Sequence, residues 1–441
     1  MIHDTDIAIV GAGAAGIAAA TTLRSRGIGC VVIEAAGRVG GRAHTTSGPE
    51  TAHHWFDHGA TWLHHAERNP LTAIARARGT GIIESDRQRT WRLQIGGRAA
   101  DAGEHARYHA AWARFEATVR PRGAEDPDIA FSAAMDTMRD DPWAATIELW
   151  EAAQIAAADP ARLSLRDWLV NDLDGSNLIL EGGIGHFLAG LAAEAGPIAL
   201  NTPATAIDWS DGARITTPRG VVRARGAIVT VSTGVLQHLA FSPALPVSHQ
   251  DAIANLPMGL LTKLAFPARG ADRLGLGPTT SIRQQARPGM PAMGLLAWPY
   301  GAPYMQSFIG GPTAWALAAA GPAATDAFAR GQIATLLGAD ALKALGPALV
   351  TPWATDPWHR GSYAFATVGH AGARAVLGTP VGDGRLVFAG EAVRDDGLAG
   401  TIGGAWASGV DAAQGMIEAL RGGEGGVSDR QCHPHAQAGP V

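Results

Sequence analysis

The sequence predicts an α/β fold whose central parallel sheet is assembled from both ends of the chain and interleaved with a second domain. A short β-branched strand at residues 6–10, an Ala-rich helical stretch to residue 23 and an apolar strand at 30–33 form a β-α-β pattern. Near the other end, a second buried strand at 385–389 runs into a loop and a Gly-rich helix start. Between them, strand-like and helix-like segments alternate, which indicates a mixed sheet with helices.

A chain of 441 residues is too long for one ordinary compact domain and predicts two. We assign the first domain to residues 1–75, 180–245 and 360–425, and the second to 76–179 and 246–359. Residues 426–441, rich in Gly, His and Pro, are expected to form a loose C-terminal tail.

Local patterns predict the elements within these domains. The stretch 72–170 is rich in Ala, Arg, Glu and spaced Trp and is interpreted as helical, with a capping box formed by Ser164 and Asp167. Short β-branched runs at 199–231, separated by Asp-Gly and Arg-Gly turns, predict a small antiparallel layer.

Composition excludes several classes of protein. With 46% hydrophobic and 17% charged residues and a net charge of −5, the chain is neither disordered nor basic enough to follow a phosphate backbone. Two cysteines, Cys30 and Cys432, do not indicate a structural disulfide. Without a signal-like N-terminus or a long apolar run, we expect a cytoplasmic protein that binds neither nucleic acid nor membrane. The oligomeric state is not indicated.

A dinucleotide-binding motif follows the first strand. Gly11, Gly13 and Gly16 fit G-x-G-x-x-G between a strand and a helix, where glycines let the backbone approach a pyrophosphate at the helix N-terminus. Glu34 ends the second strand, where a carboxylate can accept hydrogen bonds from ribose hydroxyls. Without a ligand, the same glycines would form only a tight turn.

A second motif favours FAD over NAD. The segment 37–42, Gly-Arg-Val-Gly-Gly-Arg, follows Glu34 directly and resembles the Arg-x-Gly-Gly-Arg doublet of FAD proteins of the glutathione-reductase-like group. Within it, Arg42 can neutralise a pyrophosphate. Near the far end, Phe-Ala-Gly-Glu391 follows a strand, and the segment 400–405, Gly-Thr-Ile-Gly-Gly-Ala, opens a helix whose N-terminus can stabilise negative charge on a reduced flavin.

With these motifs in order, the sequence resembles the flavin-containing amine oxidases. The resemblance covers nearly the whole chain and also includes the segments 56–64, 181–183, 229–236, 258–263 and 353–363. Within the family it is most similar to polyamine oxidases and to the catalytic domain of histone lysine demethylases. The histone-recognition module and long helical insertion of the demethylases are not evident, so a chromatin role is not expected.

The resemblance implies a set of FAD-binding residues. Because Ser362 stands where the monoamine oxidases carry the cysteine that binds flavin covalently, FAD is expected to be noncovalent. The implied cofactor-binding residues are Gly11, Gly13, Ala15, Gly16, Glu34, Arg42, Gly59, Ala60, Thr61, Trp62, Ala204, Trp358, Glu391, Thr401 and Ile402.

Four residues are implied to be catalytic. Lys263, in an apolar run, matches the lysine that holds a water near flavin N5; by itself it would be interpreted as a solvated lysine. Tyr363 matches one wall of an aromatic cage, and the position of the other wall is Thr401. His64 would lie near the substrate nitrogen and bind or deprotonate it. Candidate walls of the cavity are Trp62, Trp353 and Trp358.

The other histidines near His64 are interpreted as solvated loop residues. These are His53, His54, His58 and His65, whose spacing does not match a metal site, so no metal is predicted. A group of acidic residues, Asp172, Asp174 and Glu181, is either a binding site for the distal ammonium of a polyamine or a solvated loop.

The expected reaction is hydride transfer from the carbon next to a neutral amine to flavin N5. The imine is then hydrolysed to an aldehyde or ketone plus an amine, and O2 is reduced to H2O2. Polyamines are the favoured substrates. One alternative is an oxidase or dehydrogenase of another amine or of an amino acid, which would need an arginine for the carboxylate; Arg92, Arg283 and Arg287 are available. A third is a flavin-binding scaffold or redox sensor without activity.

Overall fold

The computed structural model describes residues 3–268 and 273–425. The predicted C-terminal tail, with Cys432, lies outside the described residues. The strands are β1 (His3–Val10), β2 (Cys30–Ile33), β3 (Thr45–Ser47), β4 (Trp55–Asp57), β5 (Ile82–Glu84), β6 (Thr90–Ile95), β7 (Arg98–Ala99), β8 (Leu178–Leu180), β9 (Ile198–Ala199), β10 (Ala206–Asp208), β11 (Ala213–Thr217), β12 (Gly220–Val229), β13 (Ala240–Ser242), β14 (Met258–Gly259), β15 (Leu261–Pro267), β16 (Thr280–Gln284), β17 (Gly294–Ala297), β18 (Tyr304–Gly310), β19 (Leu349–Val350), β20 (Tyr363–Ala364) and β21 (Leu386–Phe388).

The helices are fewer and mostly short. They are α1 (Ala14–Ser25), α2 (Pro70–Ala77), α3 (Ser85–Gln88), α4 (Ala102–Thr118), α5 (Phe131–Met135), α6 (Ala144–Glu148), α7 (Leu165–Val170), α8 (Ile184–Ala192), α9 (Thr233–Leu236), α10 (Val247–Ala254), α11 (Gly311–Ala320), α12 (Pro322–Leu337), α13 (Ala373–Gly378) and α14 (Ile402–Gly425). A π-helix, Leu149–Ile155, continues α6. None of the described helices combines the length and apolar character needed to cross a bilayer.

The first sheet contains eight strands among the described residues, and its strand order is β13-β10-β11-β12-β1-β2-β9, with β21 beside β12. Strands β1, β2, β9, β12 and β21 are paired in parallel, whereas β10–β11 and β11–β12 are antiparallel. The predicted antiparallel layer is therefore an extension of the parallel sheet. Strands from residues 3–33, 198–242 and 386–388 share this sheet, which confirms the predicted α/β class; the domain boundaries remain predictions.

Helices α1 and α14 pack directly against each other although they come from opposite ends of the chain. Glycine permits this contact, because a Cβ at Gly409 would lie 2.1 Å from the carbonyl oxygen of Ala15. A Cβ at Gly16 would lie 1.9 Å from the carbonyl oxygen of Gly11, so α1 also needs glycine to approach the turn that follows β1.

The second sheet contains seven described strands in the order β19-β15-β18-β17-β16-β6-β7. Its strands β6 and β7 correct the prediction that residues 72–170 are helical. Residues 90–99 form a hairpin instead, with Gly96 and Gly97 at positive φ of 56° and 84° in the turn. Pairing of β6 with β16, nearly 200 residues away, overrides the helical preference of the surrounding composition.

Helix α7 begins as predicted but its capping box is only half formed. The hydroxyl of Ser164 accepts a hydrogen bond from the backbone N–H of Asp167 at 3.0 Å. The Asp167 carboxylate does not reach back; it accepts from Arg374 at 2.6 and 3.0 Å and from the backbone N–H of Ala366 at 2.8 Å. This buried ion pair ties the helical layer to the segment around β20.

Candidate functional site

A cavity of about 620 Å³ is lined by residues of both sheets and of the helical layer. Its size is in the range of cofactor and substrate sites. The N-termini of α1 and α14 open onto it through Gly13, Ala14 and Ala15 and through Thr401 and Ile402. Two helix N-termini at one cavity form a favourable environment for negative charge.

The predicted dinucleotide motif lies along one side of this cavity. A Cβ at Gly13 would meet no atom within 4 Å, so the space in front of this residue is open. Glu34 is buried, and its carboxylate accepts hydrogen bonds from the backbone N–H groups of Ala12 at 2.7 Å and Ala36 at 2.8 Å. These bonds fix the orientation of the carboxylate at the end of β2.

Arg42 and Glu391 connect the two ends of the chain across the same cavity. Nη1 of Arg42 donates to Oε1 of Glu391 at 2.7 Å and to the carbonyl oxygen of Ser362 at 2.9 Å. Glu391 Oε1 also accepts from the backbone N–H of Ala364 at 3.1 Å, while its Oε2 is buried without a partner. Arg42 thus has Nε and Nη2 left for a further acceptor.

The residues present fit FAD. The open space at Gly13, the oriented carboxylate of Glu34 and the unpartnered Oε2 of Glu391 all lie on one continuous cavity surface. A buried carboxylate oxygen without a partner is costly unless a ligand supplies a donor. The remaining predicted cofactor residues on the cavity wall are Gly11, Ala15, Gly59, Ala60, Thr61, Trp62, Ala204, Trp358, Thr401 and Ile402, whereas Gly16 lies behind the turn.

Lys263 is buried on β15, where its ammonium group is surrounded by oxygen atoms. Nζ lies 2.5 Å from the carbonyl oxygen of Gly59, 2.5 Å from the hydroxyl of Thr61 and 3.3 Å from the carbonyl oxygen of Asp57. The ring of Trp62 is 5.4 Å away. The lysine is therefore not solvated; it is held against the segment 57–62 at the cavity wall.

Burial lowers the pKa of Lys263 to about 8, and the nearby Asp57 carboxyl opposes this shift only partly. Burial also raises the pKa of Asp57. With a pKa of about 8, roughly a tenth of the lysine is a neutral amine at pH 7 and about half at pH 8. In the neutral form the lone pair on Nζ can accept a hydrogen bond.

His64 lies on the same cavity wall and is held by a chain of side chains. Its Nδ1 is 2.5 Å from Oδ1 of Asn177, whose amide nitrogen donates to Asp86 at 3.3 Å. The amide orientation assigns the proton to Nδ1 and leaves the lone pair on Nε2. Burial lowers the pKa of His64 to about 4, so the ring is neutral at physiological pH.

Two of the neighbouring histidines are not solvated as predicted. His58 is buried, stacks on His44 with ring centres 4.6 Å apart and has its pKa lowered to about 3, chiefly by burial. His65 is also buried, and its Nε2 contacts the carbonyl oxygen of Asp172 at 3.0 Å. Both histidines are buried because β4 and the following segment pack closely against the core. Within the described ranges, no three His, Cys, Asp or Glu residues come together as a potential metal site.

Tyr363 and Thr401 both line the cavity but use their hydroxyls elsewhere. The Tyr363 hydroxyl donates to the carbonyl oxygen of Ile155 at 2.8 Å, at the end of the π-helix, and burial raises its pKa. The Thr401 hydroxyl donates to Leu398 at 2.7 Å and accepts from the backbone N–H of Gly404 at 2.9 Å, so it caps α14. Only the ring of Tyr363 and the methyl group of Thr401 are left for a ligand.

The predicted acidic ammonium site is not assembled. Asp172 lines the cavity but is paired with Arg120. Asp174 is 74% exposed and lies 3.3 Å from His65. Glu181 is exposed beside the backbone of Gly81. Because these three carboxylates point to different places, the interpretation as a solvated loop is the better one for Asp174 and Glu181.

A comparison with protein families identifies the chain. The model of the flavin-containing amine oxidoreductases matches residues 93–417, and a model of the NAD(P)-binding Rossmann-like domain matches residues 9–77. The chain belongs to the flavin-containing amine oxidoreductase family. The predicted enzyme class, cofactor FAD and fold are thereby confirmed at the level of the family.

The curated relatives of this amine oxidoreductase include proteins named for different functions. Protein FLOWERING LOCUS D of Arabidopsis thaliana is 28% identical over 95% of this chain and 56% of its own length. Polyamine oxidase 4 of Oryza sativa subsp. japonica is 27% identical over 92% of this chain and 87% of its own length. The chain spans about half the length of the first curated relatives it matches.

Solved structures share the fold of this amine oxidoreductase. A putrescine oxidase bound to putrescine superposes with a TM-score of 0.80 over 95% of this chain and 100% of that chain, at 20% identity. At this identity the likeness shows the fold alone.

Several residues of the site were not singled out by sequence reasoning. Asn177 orients His64, and the Asp167–Arg374 ion pair supports the segment that carries Tyr363. Arg89 and Trp91, also on the cavity wall, come from the region misassigned as helix. The alternation of Thr-Trp-Arg-Leu-Gln-Ile before Gly-Gly at 90–97 is a hairpin signal that could have revealed them.

Proposed function

We propose that this flavoprotein oxidises an amine at the carbon next to the nitrogen. The observation that carries the proposal is that Lys263, His64 and Tyr363 line the same cavity as the FAD-binding residues. When bound, FAD supplies the two-electron redox chemistry of the reaction. The protein residues bind and orient the amine, exclude water and manage its proton.

His64 is suited to accept a hydrogen bond from an incoming neutral amine. Its ring is neutral, its Nδ1 is engaged by Asn177 and its Nε2 keeps a lone pair. Because the low pKa makes His64 a weak base, it acts best as a hydrogen-bond acceptor that positions an amine that is already neutral. The ring face of Tyr363 orients that amine from another side.

Lys263 is suited to hold a water molecule at the reacting centre. In its amine form Nζ donates to the carbonyl oxygen of Gly59 and keeps a lone pair for Thr61 or water. A water fixed there can hydrolyse the imine product or exchange protons with it. The pKa of about 8 places this group in the range where both forms are populated.

We also propose O2 as the electron acceptor. The balanced reaction consumes one amine, one O2 and one water and yields a carbonyl compound, an ammonia or amine and one H2O2. The protein is proposed to act in the cytoplasm.

Polyamines remain one candidate substrate class, since the name of one relative and the fold of a putrescine oxidase support them. The cavity itself favours them less, because Asp172 is neutralised by Arg120 and Asp174 is largely exposed. A polyamine oxidase would need free carboxylates at the position of the distal ammonium.

Peroxide formation tests the proposed function. Purified holoenzyme would be incubated in air with amines of each class, and H2O2 and carbonyl product would be measured together. We expect equal amounts of both for at least one amine. FAD-loaded protein that forms neither product with any amine, at any pH from 7 to 9, would support the scaffold alternative.

A further inference from the structure

Two arginines, Arg89 and Arg283, lie around the indole of Trp91 on the substrate side of the cavity. Their guanidinium carbons are 5.4 and 4.7 Å from the centre of the Trp91 ring. Arg283 also stacks over Trp150, with 3.7 Å between its guanidinium carbon and the ring centre. All four side chains line the cavity, and Trp91 is 49% exposed, so this group lies where the cavity reaches solvent.

The two arginines have hydroxyl partners but no carboxylate partner within the described part of the chain. Arg89 donates to the hydroxyl of Ser85 at 3.3 Å, and Arg283 donates to the hydroxyl of Tyr108. Nε of each guanidinium is buried without a hydrogen-bond partner. Two like charges beside one aromatic ring, each with an unused donor, are stabilised when an anion binds to them.

Two other arginines of the cavity already have carboxylate partners. Arg42 is paired with Glu391, and Arg374 is paired with Asp167. The carboxylates that hold these two arginines are therefore not free to approach Arg89 or Arg283.

The nearest acidic groups do not supply a counterion to the arginine pair. Glu151, the buried carboxyl that interacts with Arg283, accepts from the indole N–H of Trp168 at 3.3 Å. Burial raises the pKa of Glu151 to about 8, so it is largely protonated at pH 7. Asp86 is exposed and accepts hydrogen bonds from Asn177.

We propose that Arg89 and Arg283 bind a carboxylate carried by the amine substrate. The inference rests on the proposed function and narrows its substrate class to amines with an acid group. The subsite adjoins the reaction site, because the ring of Trp62 is 5.7 Å from Arg89 and 5.4 Å from Lys263. A distal ammonium group would instead meet two positive charges, which disfavours di- and polyamines.

Arg92 and Arg287, the other arginines considered for this role, are exposed and do not line the cavity. Arg92 follows Trp91 on β6, so its side chain points to the opposite face of the strand. Arg92 is therefore a matched control, since its substitution removes the same charge from the adjacent position.

Binding is tested with a carboxylate that cannot be oxidised. Holoenzyme would be titrated with pentanoate and with the isosteric pentanamide, with tryptophan fluorescence as the readout because Trp91 and Trp150 contact Arg283. We expect pentanoate to bind more tightly than pentanamide. The expected advantage of pentanoate over pentanamide is about 10- to 100-fold in Kd, and Arg283→Met should remove it. Arg283→Lys should retain part of this difference in Kd, and Arg92→Met should leave it unchanged.

Turnover then locates the carboxylate on the substrate. Four amines would be compared. Butylamine has no second charged group, and norvaline adds a carboxylate at the α-carbon. 4-Aminobutanoate carries a distal carboxylate, and putrescine carries a distal ammonium group. We expect norvaline or 4-aminobutanoate to have the highest kcat/KM of the four amines. In Arg283→Met this advantage should disappear, mainly because KM for the acid rises. A preference for putrescine, or equal binding of pentanoate and pentanamide, would overturn the inference.

The two assays separate this inference from the proposed function. If pentanoate binds through Arg283 but no amine is oxidised, the carboxylate subsite stands and the oxidase function fails. If amines are oxidised without any advantage of a carboxylate in either assay, the oxidase function stands and the subsite fails.

Discussion

Nζ of Lys263 lies 2.5 Å from the hydroxyl oxygen of Thr61, although 202 residues separate the two in the chain. The contact joins the second sheet to the segment that follows β4, at the wall of the cavity shared with the predicted FAD-binding residues. The geometry of the reaction site therefore depends on the packing of the second sheet against this segment.

Substitution of Lys263 should separate catalysis from cofactor binding. Lys263→Met fills a similar volume, so the variant should fold and bind FAD. We expect reduction by amine or reoxidation by O2 to slow by about 100-fold or more, as for loss of a general acid–base group. Rapid-mixing absorbance spectroscopy measures both steps. Lys343→Met, on an exposed lysine paired with Asp340, is the control and should behave as wild type.

Folding stability should fall steeply in mild acid. Burial lowers the pKa values of His44, His58 and His64 to about 4, 3 and 4, against 6.5 in the unfolded chain. Below pH 6.5 the unfolded chain therefore binds more protons, and stability is lost progressively until the pH reaches the folded-state pKa values of about 4 for His44 and His64 and about 3 for His58. Urea unfolding at pH 7.5 and pH 5 measures this loss.

Variants identify the source of the acid sensitivity. His58→Gln should show a smaller loss between pH 7.5 and pH 5 than wild type, whereas His238→Gln, at an exposed position, should show the full loss. An unfolding free energy that is the same at both pH values in the wild type would contradict the assignment of neutral buried histidines.

Two glycines of the dinucleotide motif should respond differently to alanine. Gly16→Ala places a Cβ 1.9 Å from the carbonyl oxygen of Gly11 and should cost about 3 kcal/mol or more of folding stability, even without FAD. Gly13→Ala enters open space at the cavity and should leave the apoprotein stable but weaken FAD binding. Urea unfolding of apoprotein and FAD titration measure the two effects. Similar losses of apoprotein stability in both variants would refute this distinction.

FAD should leave the protein on denaturation. Ser362 offers no thiol, and its hydroxyl lies 3.1 Å from the carbonyl oxygen of Leu261 and 2.8 Å from the backbone nitrogen of that residue, so it belongs to the fold. After acid precipitation of the holoenzyme, we expect all flavin in the supernatant. Flavin absorbance that remains with the washed precipitate would indicate a covalent bond.

The cofactor half of the site could be predicted from the sequence because its determinants are local. The glycines at 11–16 and Glu34 lie within one β-α-β unit, where spacing alone fixes their positions relative to each other. Arg42 and Glu391 were identified individually, but their 2.7 Å contact depends on two distant segments and has no local signal.

The substrate half could be predicted less well because it depends on long-range pairing. Strand β6 was taken for helix, since its Ala- and Arg-rich surroundings favour helix and its pairing partner β16 is distant in sequence. Because of that error, neither the position of Trp91 on the cavity wall nor its contact with Arg283 could be predicted. The acidic residues 172–181 appeared to be a cluster only because they are close in sequence.

Anaerobic mixing of the holoenzyme with a panel of amines tests whether the protein oxidises an amine. The panel would contain polyamines, monoamines, amino acids and amines with a distal carboxylate, and the absorbance of oxidised flavin would be followed. We predict that at least one amine bleaches this band rapidly in wild type and far more slowly in Lys263→Met. If dithionite bleaches the flavin but no amine does, the protein is not an amine oxidase.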